Sequence, residues 1–69
     1  MRQYLVSLIN EHGYSQQDVA DKLNISRQYY QMIETGERQK KMDISLASGI
    51  ATLYGISVMD VENFEKAIS

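Results

Sequence analysis

The sequence predicts an all-α fold of five short helices, and three observations carry that prediction. Proline is absent and glycine occurs only four times in 69 residues, so little interrupts helical hydrogen bonding. One helix-start pattern, an apolar residue followed by serine, is written three times, at Tyr14-Ser15, Ile25-Ser26 and Ile56-Ser57. Between these starts, apolar residues recur three and four apart, the spacing of one helix face.

Helix 1 runs from about Arg2 to His12, with Leu5, Leu8 and Ile9 as its core face. Gly13 ends it in the left-handed conformation that a missing Cβ permits. Ser15 caps helix 2, Asp18 completes a capping box, and Tyr14 can staple onto Val19. Val19, Ala20 and Leu23 form one apolar face, and the small Ala20 lets two helix backbones approach closely. Asn24 stops this helix, because asparagine tolerates the left-handed turn. Ser26 caps helix 3, whose apolar stripe is Tyr30 and Ile33. Residues 35–43, TGERQKKMD, form the longest irregular stretch. Helix 4 spans about Ile44 to Tyr54, with Leu46, Ile50, Leu53 and Tyr54 on one face. Gly49 inside it costs roughly 1 kcal/mol against alanine, which predicts close packing that excludes a side chain. Gly55 closes helix 4, and Asp60 and Val61 follow the Ser57 cap. The last helix runs from about Val58 to Ala67; Val58, Met59, Val61, Phe64 and Ile68 spread over more than one face.

Length and composition bound the function. Sixty-nine residues make one small domain, 1–69, with no enzyme-sized pocket expected. The absence of cysteine excludes a disulfide or thiolate metal site and suits a reducing cytoplasm. No apolar run is long enough for a membrane, and no signal peptide is visible. Asp18/Asp21 and Glu62/Glu65 read as helix-surface acids, with no histidine or cysteine beside them in sequence to form a metal or catalytic constellation. The expectation is therefore no enzyme, no cofactor, no metal and no small-molecule ligand. His12, at a helix C-terminus, suits the partial negative charge there.

Net charge is −2, where a nucleic-acid binder usually reads basic. The distribution is uneven. Residues 1–41 hold six Lys/Arg and five Asp/Glu, net +1; residues 42–69 hold one Lys and four acids, net −3. Arg27, Arg38, Lys40 and Lys41 all lie in or just after helix 3. Two helices crossing steeply with the second presented outward is a geometry that enters the DNA major groove. On a wheel of about 100° per residue, Tyr30 and Ile33 face inward, while Arg27, Gln28, Gln31 and Met32 face away. Arginine can pair with guanine O6 and N7, glutamine with adenine N6 and N7, and Met32 can lie against a thymine methyl.

This pattern resembles the Cro/C1-type (XRE) helix-turn-helix family. The resemblance rests on Gly13-Tyr14-Ser15-Gln16, Val19-Ala20, Leu23-Asn24-Ile25-Ser26, Ile33-Glu34 with Gly36 and Arg38, and Ile50-Ala51, Leu53 and Gly55-Ile56-Ser57. It implies a compact five-helix, lambda-repressor-like domain with the helix-turn-helix at helices 2 and 3. The implied function is a transcriptional regulator, a repressor or an activator, that binds a palindromic operator in double-stranded DNA as a dimer; for this chain a repressor is expected. The family's base-reading positions match Arg27, Gln28 and Met32, with Gln31 beside them, and its phosphate-contacting glutamine matches Gln16. Arg38, Lys40 and Lys41 would run beside the backbone, with Tyr29 on the flank, its hydroxyl toward a phosphate or its ring half-buried. The family often pairs an arginine, four residues before the helix 1 glycine, with the glutamate that ends helix 3; here that position is Ile9, leaving Glu34 without its usual partner. The loop after Gly36 is also slightly longer and lacks the common proline.

One module buries only about 600–1,000 Å² on DNA, so a homodimer is expected, reading half-sites about one turn apart. Met59, Phe64 and Ile68 are the candidate interface; their alternative role is completing the monomer core. The alternative function is a protein-interaction module, an antitoxin or anti-repressor, with an acidic surface and weak or no DNA binding.

Overall fold

The computed structural model describes residues 1–68, which form five α-helices: α1 Gln3–His12, α2 Gln16–Leu23, α3 Arg27–Thr35, α4 Ile44–Tyr54 and α5 Val58–Ile68. The caps act as the sequence indicates. The Ser15 hydroxyl accepts from the Asp18 N–H at 3.0 Å, and the Asp18 carboxylate accepts from the Ser15 N–H at 2.9 Å. Those hydrogen bonds, the backbone one foremost, hold the Asp18 carboxyl below its usual range. Ser57 and Asp60 repeat the reciprocal pair at the start of α5. Ser26 caps α3 through the Tyr29 N–H. Asp43 caps α4 through the Leu46 N–H, a start the serine pattern does not reveal. Asn24 has φ 59°, in the left-handed region, as the tight turn requires.

Two connected clusters make the core. Leu5, Ile33, Ala47, Ile50, Ala51, Tyr54 and Val61 form one; Ile9, Val19, Ala20 and Tyr30 form the other. Ala20 is fully buried, packed with Val19 of α2 against Ile9 and Tyr30. Gly49 is tight as expected, but its obstacle is narrow. A Cβ there would come to 3.1 Å from one Leu23 methyl and meets no backbone.

α1 begins one residue later than its sequence pattern suggests, because Arg2 is its buried N-cap rather than its first turn. Arg2 is 3% exposed. Its backbone N–H donates to the Glu34 carbonyl at 2.8 Å. Its guanidinium donates to the carbonyls of Ile33 (2.7 Å), Arg38 (3.2 Å) and Gln39. It also forms an ion pair with Glu65 of α5, Nε to Oε2, at 2.8 Å. The Tyr4 hydroxyl donates to the same Glu65 oxygen at 2.5 Å. Glu65 is therefore not the surface acid that its helical spacing indicates: it fastens the last helix to the first and to the loop after α3. Lys40, Lys41, Met42, Ile44, Ala47, Val61, Glu62, Glu65 and Lys66 line an open groove between that loop, α4 and α5.

Among the described residues, no single helix is long and apolar enough to cross a membrane.

Burial also sets the chain's response to alkali. The Tyr30 and Tyr54 hydroxyls are buried without a hydrogen-bond partner among the described residues. Burial, followed by Tyr14 and Glu34, pushes Tyr54 up to about 12. Burial and the Glu34 carboxylate raise Tyr30 further, and burial and Glu65 raise Tyr4. An unfolded tyrosine ionises near pH 10, so above that pH the unfolded chain releases protons that the folded chain retains. Stability is complete below pH 10 and is lost as pH rises towards 12, at up to about 1.4 kcal/mol per pH unit for each buried tyrosine. Urea midpoints should be flat from pH 7 to 9 and fall steeply above 10; a flat profile to pH 12 would contradict this account.

Candidate nucleic-acid interface

The turn between α2 and α3 is closed by two backbone hydrogen bonds, Asn24 N–H to the Asp21 carbonyl at 3.1 Å and Ile25 N–H to the Ala20 carbonyl at 2.9 Å. With Ser26 extended as the cap, α3 turns sharply away and buries Tyr30, Ile33 and Glu34. The opposite side of α3 is left outward. Arg27 and Gln28, in its first turn, are both exposed. Met32 is half-buried one turn on. Ser26, Gln28, Tyr29, Met32 and Arg38 line one shallow hollow on this side. The structure thus brings two candidate base readers, Gln28 and Met32, together with two candidate phosphate contacts, Tyr29 and Arg38.

Three other candidates lie elsewhere. Gln31 is half-buried and turned towards α2, where its side-chain amide donates to Gln16 Oε1 at 2.8 Å. The wheel places it on the outer side of α3, but the polar start of α2 provides a nearer partner than solvent. Lys40 and Lys41 are exposed and line the groove beside α4 and α5 with Glu62 and Glu65. They do not share the hollow of Arg38. The reason is Arg2, which grips the Arg38 and Gln39 carbonyls and swings the following residues towards α5.

Tyr29 takes the half-buried option. Its ring packs against the main core, and its hydroxyl accepts from the Gln39 side-chain amide at 2.8 Å. Gln39 in turn accepts from the Asp43 N–H at 3.0 Å, so one side chain spans α3, the loop and the start of α4. Gln39 also has φ 55°, a left-handed backbone that non-glycine residues rarely adopt. Its side chain and the Arg2 contact to its carbonyl hold it there. Neither Arg2 nor Gln39 is marked by any sequence pattern as part of this architecture. The partners of Arg2 lie 31 to 63 residues away in sequence, beyond the reach of helical periodicity.

Glu34 has a partner after all. Ile9, where the family arginine is common, is in the core, and Glu34 is 7% exposed. Its carboxylate accepts from Gln16 Nε2 at 3.2 Å. Sequence comparison with the arginine position alone misses this, because the substitute donor comes from a different helix.

On α5, Met59 is 62% exposed, Ile68 46% and Phe64 38%. Phe64 is not a free surface ring: it stacks on Tyr4 with centroids 5.0 Å apart. His12, at the end of α1, lies against Tyr54 at 4.9 Å, an aromatic contact in addition to its place at the helix terminus. Among the described residues no cluster of three or more His, Cys, Asp or Glu could hold a metal ion.

A helix-turn-helix family model matches residues 5–61. No curated protein and no solved structure gives a significant match. The matched span runs from Leu5 in α1 to Val61 in α5, so it includes both core clusters, the α2–α3 turn and the outward side of α3. With that architecture and that match together, the chain belongs to the Cro/C1-type (XRE) helix-turn-helix family of DNA-binding transcription regulators.

Proposed function

We propose that this chain, acting as a single domain over residues 1–69, is a repressor that occupies a palindromic operator as a homodimer. Each copy inserts α3 into the major groove. Arg27, Gln28 and Met32 meet the base edges with Gln31 beside them, Gln16 and Arg38 contact the phosphates, and Lys40 and Lys41, exposed on the loop that follows α3, reach the backbone further along. The observation that carries this reading is the exposure of Arg27 and Gln28 in the first turn of α3, beside the hollow shared by Met32 and Arg38. The first turn of a recognition helix is the part that approaches base edges. Repression by occupancy needs no second site on the protein. The reading also accommodates a cytoplasmic location.

Selection of bound sequences from random duplex DNA at low salt tests it. The expected product is a palindrome with half-sites about one helical turn apart. The acidic second half of the chain, net −3 over residues 42–69, favours a second reading, a protein-interaction module such as an antitoxin or anti-repressor. Selection that enriches no palindrome would move the assignment there.

For the dimer, Met59, Phe64 and Ile68 on α5 are the proposed contact. Phe64→Asp should shift the wild-type dimer to monomer in light scattering. Because Phe64 also stacks on Tyr4, the same variant should lose some stability, so Met59→Asp, at the most exposed of the three positions, is the cleaner companion. A wild type that is monomeric at high concentration and on DNA would refute the dimer.

A further inference from the structure

Gln31 is the one candidate base reader whose side chain is committed to another residue. Its amide donates to Gln16 Oε1 at 2.8 Å, and Gln16 Nε2 donates to Glu34 Oε1 at 3.2 Å. The direction of this chain is fixed by chemistry. An ionised carboxylate only accepts, so the Gln16 nitrogen must face Glu34, and its oxygen is left for Gln31. Each amide nitrogen carries two N–H groups and uses one of them here. One donor on Gln16 and one on Gln31 are therefore left over, and both side chains are half-buried at the edge where α2 meets α3. Glu34 beneath them is buried, and a buried acceptor holds its donor more firmly than an exposed one.

We infer that Gln31, Gln16 and Glu34 act as one phosphate-directed unit. Glu34 is a positioning residue that sets the Gln16 amide with a donor outward. Gln31 holds the other end of that amide and adds its own donor to the DNA backbone, not to a base. The inference rests on the DNA-binding reading above and changes the role of Gln31 within it. It makes the base code of α3 shorter: Arg27, Gln28 and Met32.

The test uses the full chain and a duplex of arbitrary sequence, with binding followed by fluorescence anisotropy across a salt series. Wild type should bind with a log–log salt slope set by its Lys and Arg phosphate contacts, about 0.9 for each; neutral amides add affinity and leave that slope as it is. Glu34→Gln replaces an obligate acceptor by a group that can also donate, so the Gln16 amide is free to reverse. This variant should bind severalfold more weakly at every salt concentration, although it removes a negative charge. In a Gln16→Ala background, Glu34→Gln should have no further weakening effect. A loss of folding alone would lower the active fraction, which stoichiometric titration reads, and leave the dissociation constant of the folded protein untouched. Gln31→Ala, at a half-buried position, supplies the independent measurement. It should weaken all duplexes alike, with the slope unchanged, and leave the sequence selected from random DNA unchanged. An unchanged affinity in both variants, or a changed base preference in Gln31→Ala, would overturn the inference while the regulator reading stands. A wild type that binds no duplex would remove both.

Discussion

Replacing Arg2 by methionine should bring this protein close to unfolding at room temperature, with a loss of about 3–5 kcal/mol. The guanidinium is almost wholly buried and is paired with Glu65 at 2.8 Å, itself largely covered. It also satisfies the carbonyls of Ile33, Arg38 and Gln39. Methionine fills much the same volume but leaves the Arg38 and Gln39 carbonyls without the guanidinium donor, and reduces the Ile33 carbonyl and the Glu65 carboxylate to their remaining donors, the Gly36 N–H and the Tyr4 hydroxyl. Removing one member of a buried pair costs far more than the pair itself contributes. A domain of this length is stabilised by only about 5 kcal/mol or slightly more, so most of that margin disappears. Urea unfolding followed by circular dichroism measures the effect. Glu65→Gln should also be costly, about 1–3 kcal/mol, because the amide can still accept from Arg2 and Tyr4 but leaves the buried guanidinium without its counter-charge. Arg2→Met with Glu65→Leu should recover part of the loss, since no charge is then stranded. An Arg2→Met variant with the wild-type urea midpoint would show that the buried ion pair contributes nothing and that α5 is held by apolar contacts alone.

The functional counterpart is Arg27→Ala. Arg27 is exposed in the first turn of α3 and is buried against no part of the core, so its removal should change stability by no more than about 0.5 kcal/mol. Affinity for the selected operator should nevertheless fall by about 1–3 kcal/mol, with relaxed preference at one base position in each half-site. Lys40→Ala gives the contrast. A phosphate contact carries no base information, so that variant should weaken all duplexes alike and reduce the salt slope by about one. Titrations of operator and scrambled duplexes at two salt concentrations separate the outcomes. If Arg27→Ala weakens both duplexes equally, Arg27 is a backbone contact and the base readers lie further along α3, at Gln28 and Met32.

These predictions differ in how far they were visible before the fold was known. The surface role of Arg27 follows from local rules. A capped start at Ser26, an inward stripe of Tyr30 and Ile33 and a 3.6-residue period suffice to put it outside. Gln31 satisfies the same period and is turned towards α2 instead, because a helical wheel knows the direction of a side chain but not what stands opposite it. Likewise the last helix was legible as a helix with apolar residues on more than one face, while the division of those residues between core and surface was not. Val61 is buried; Phe64 is shared with Tyr4; Met59 and Ile68 remain largely open.

The sequence by itself determined the five helices, the serine caps of α2, α3 and α5, the left-handed turns at Gly13, Asn24 and Gly55, and the family. Each helix, cap and turn depends on residues close together in sequence, where backbone geometry limits the alternatives, and the family on the order in which those local motifs follow one another. Only the tertiary structure decided the parts held over long separations. Arg2 clasps the loop after α3 and Glu65; Gln39 ties Tyr29 to α4; Glu34 takes Gln16 in place of an arginine. A long polar side chain can reach many acceptors. Which of them it finds depends on where packing has already put the helices, and that is set by the whole apolar core, with no local pattern around the residue to record it.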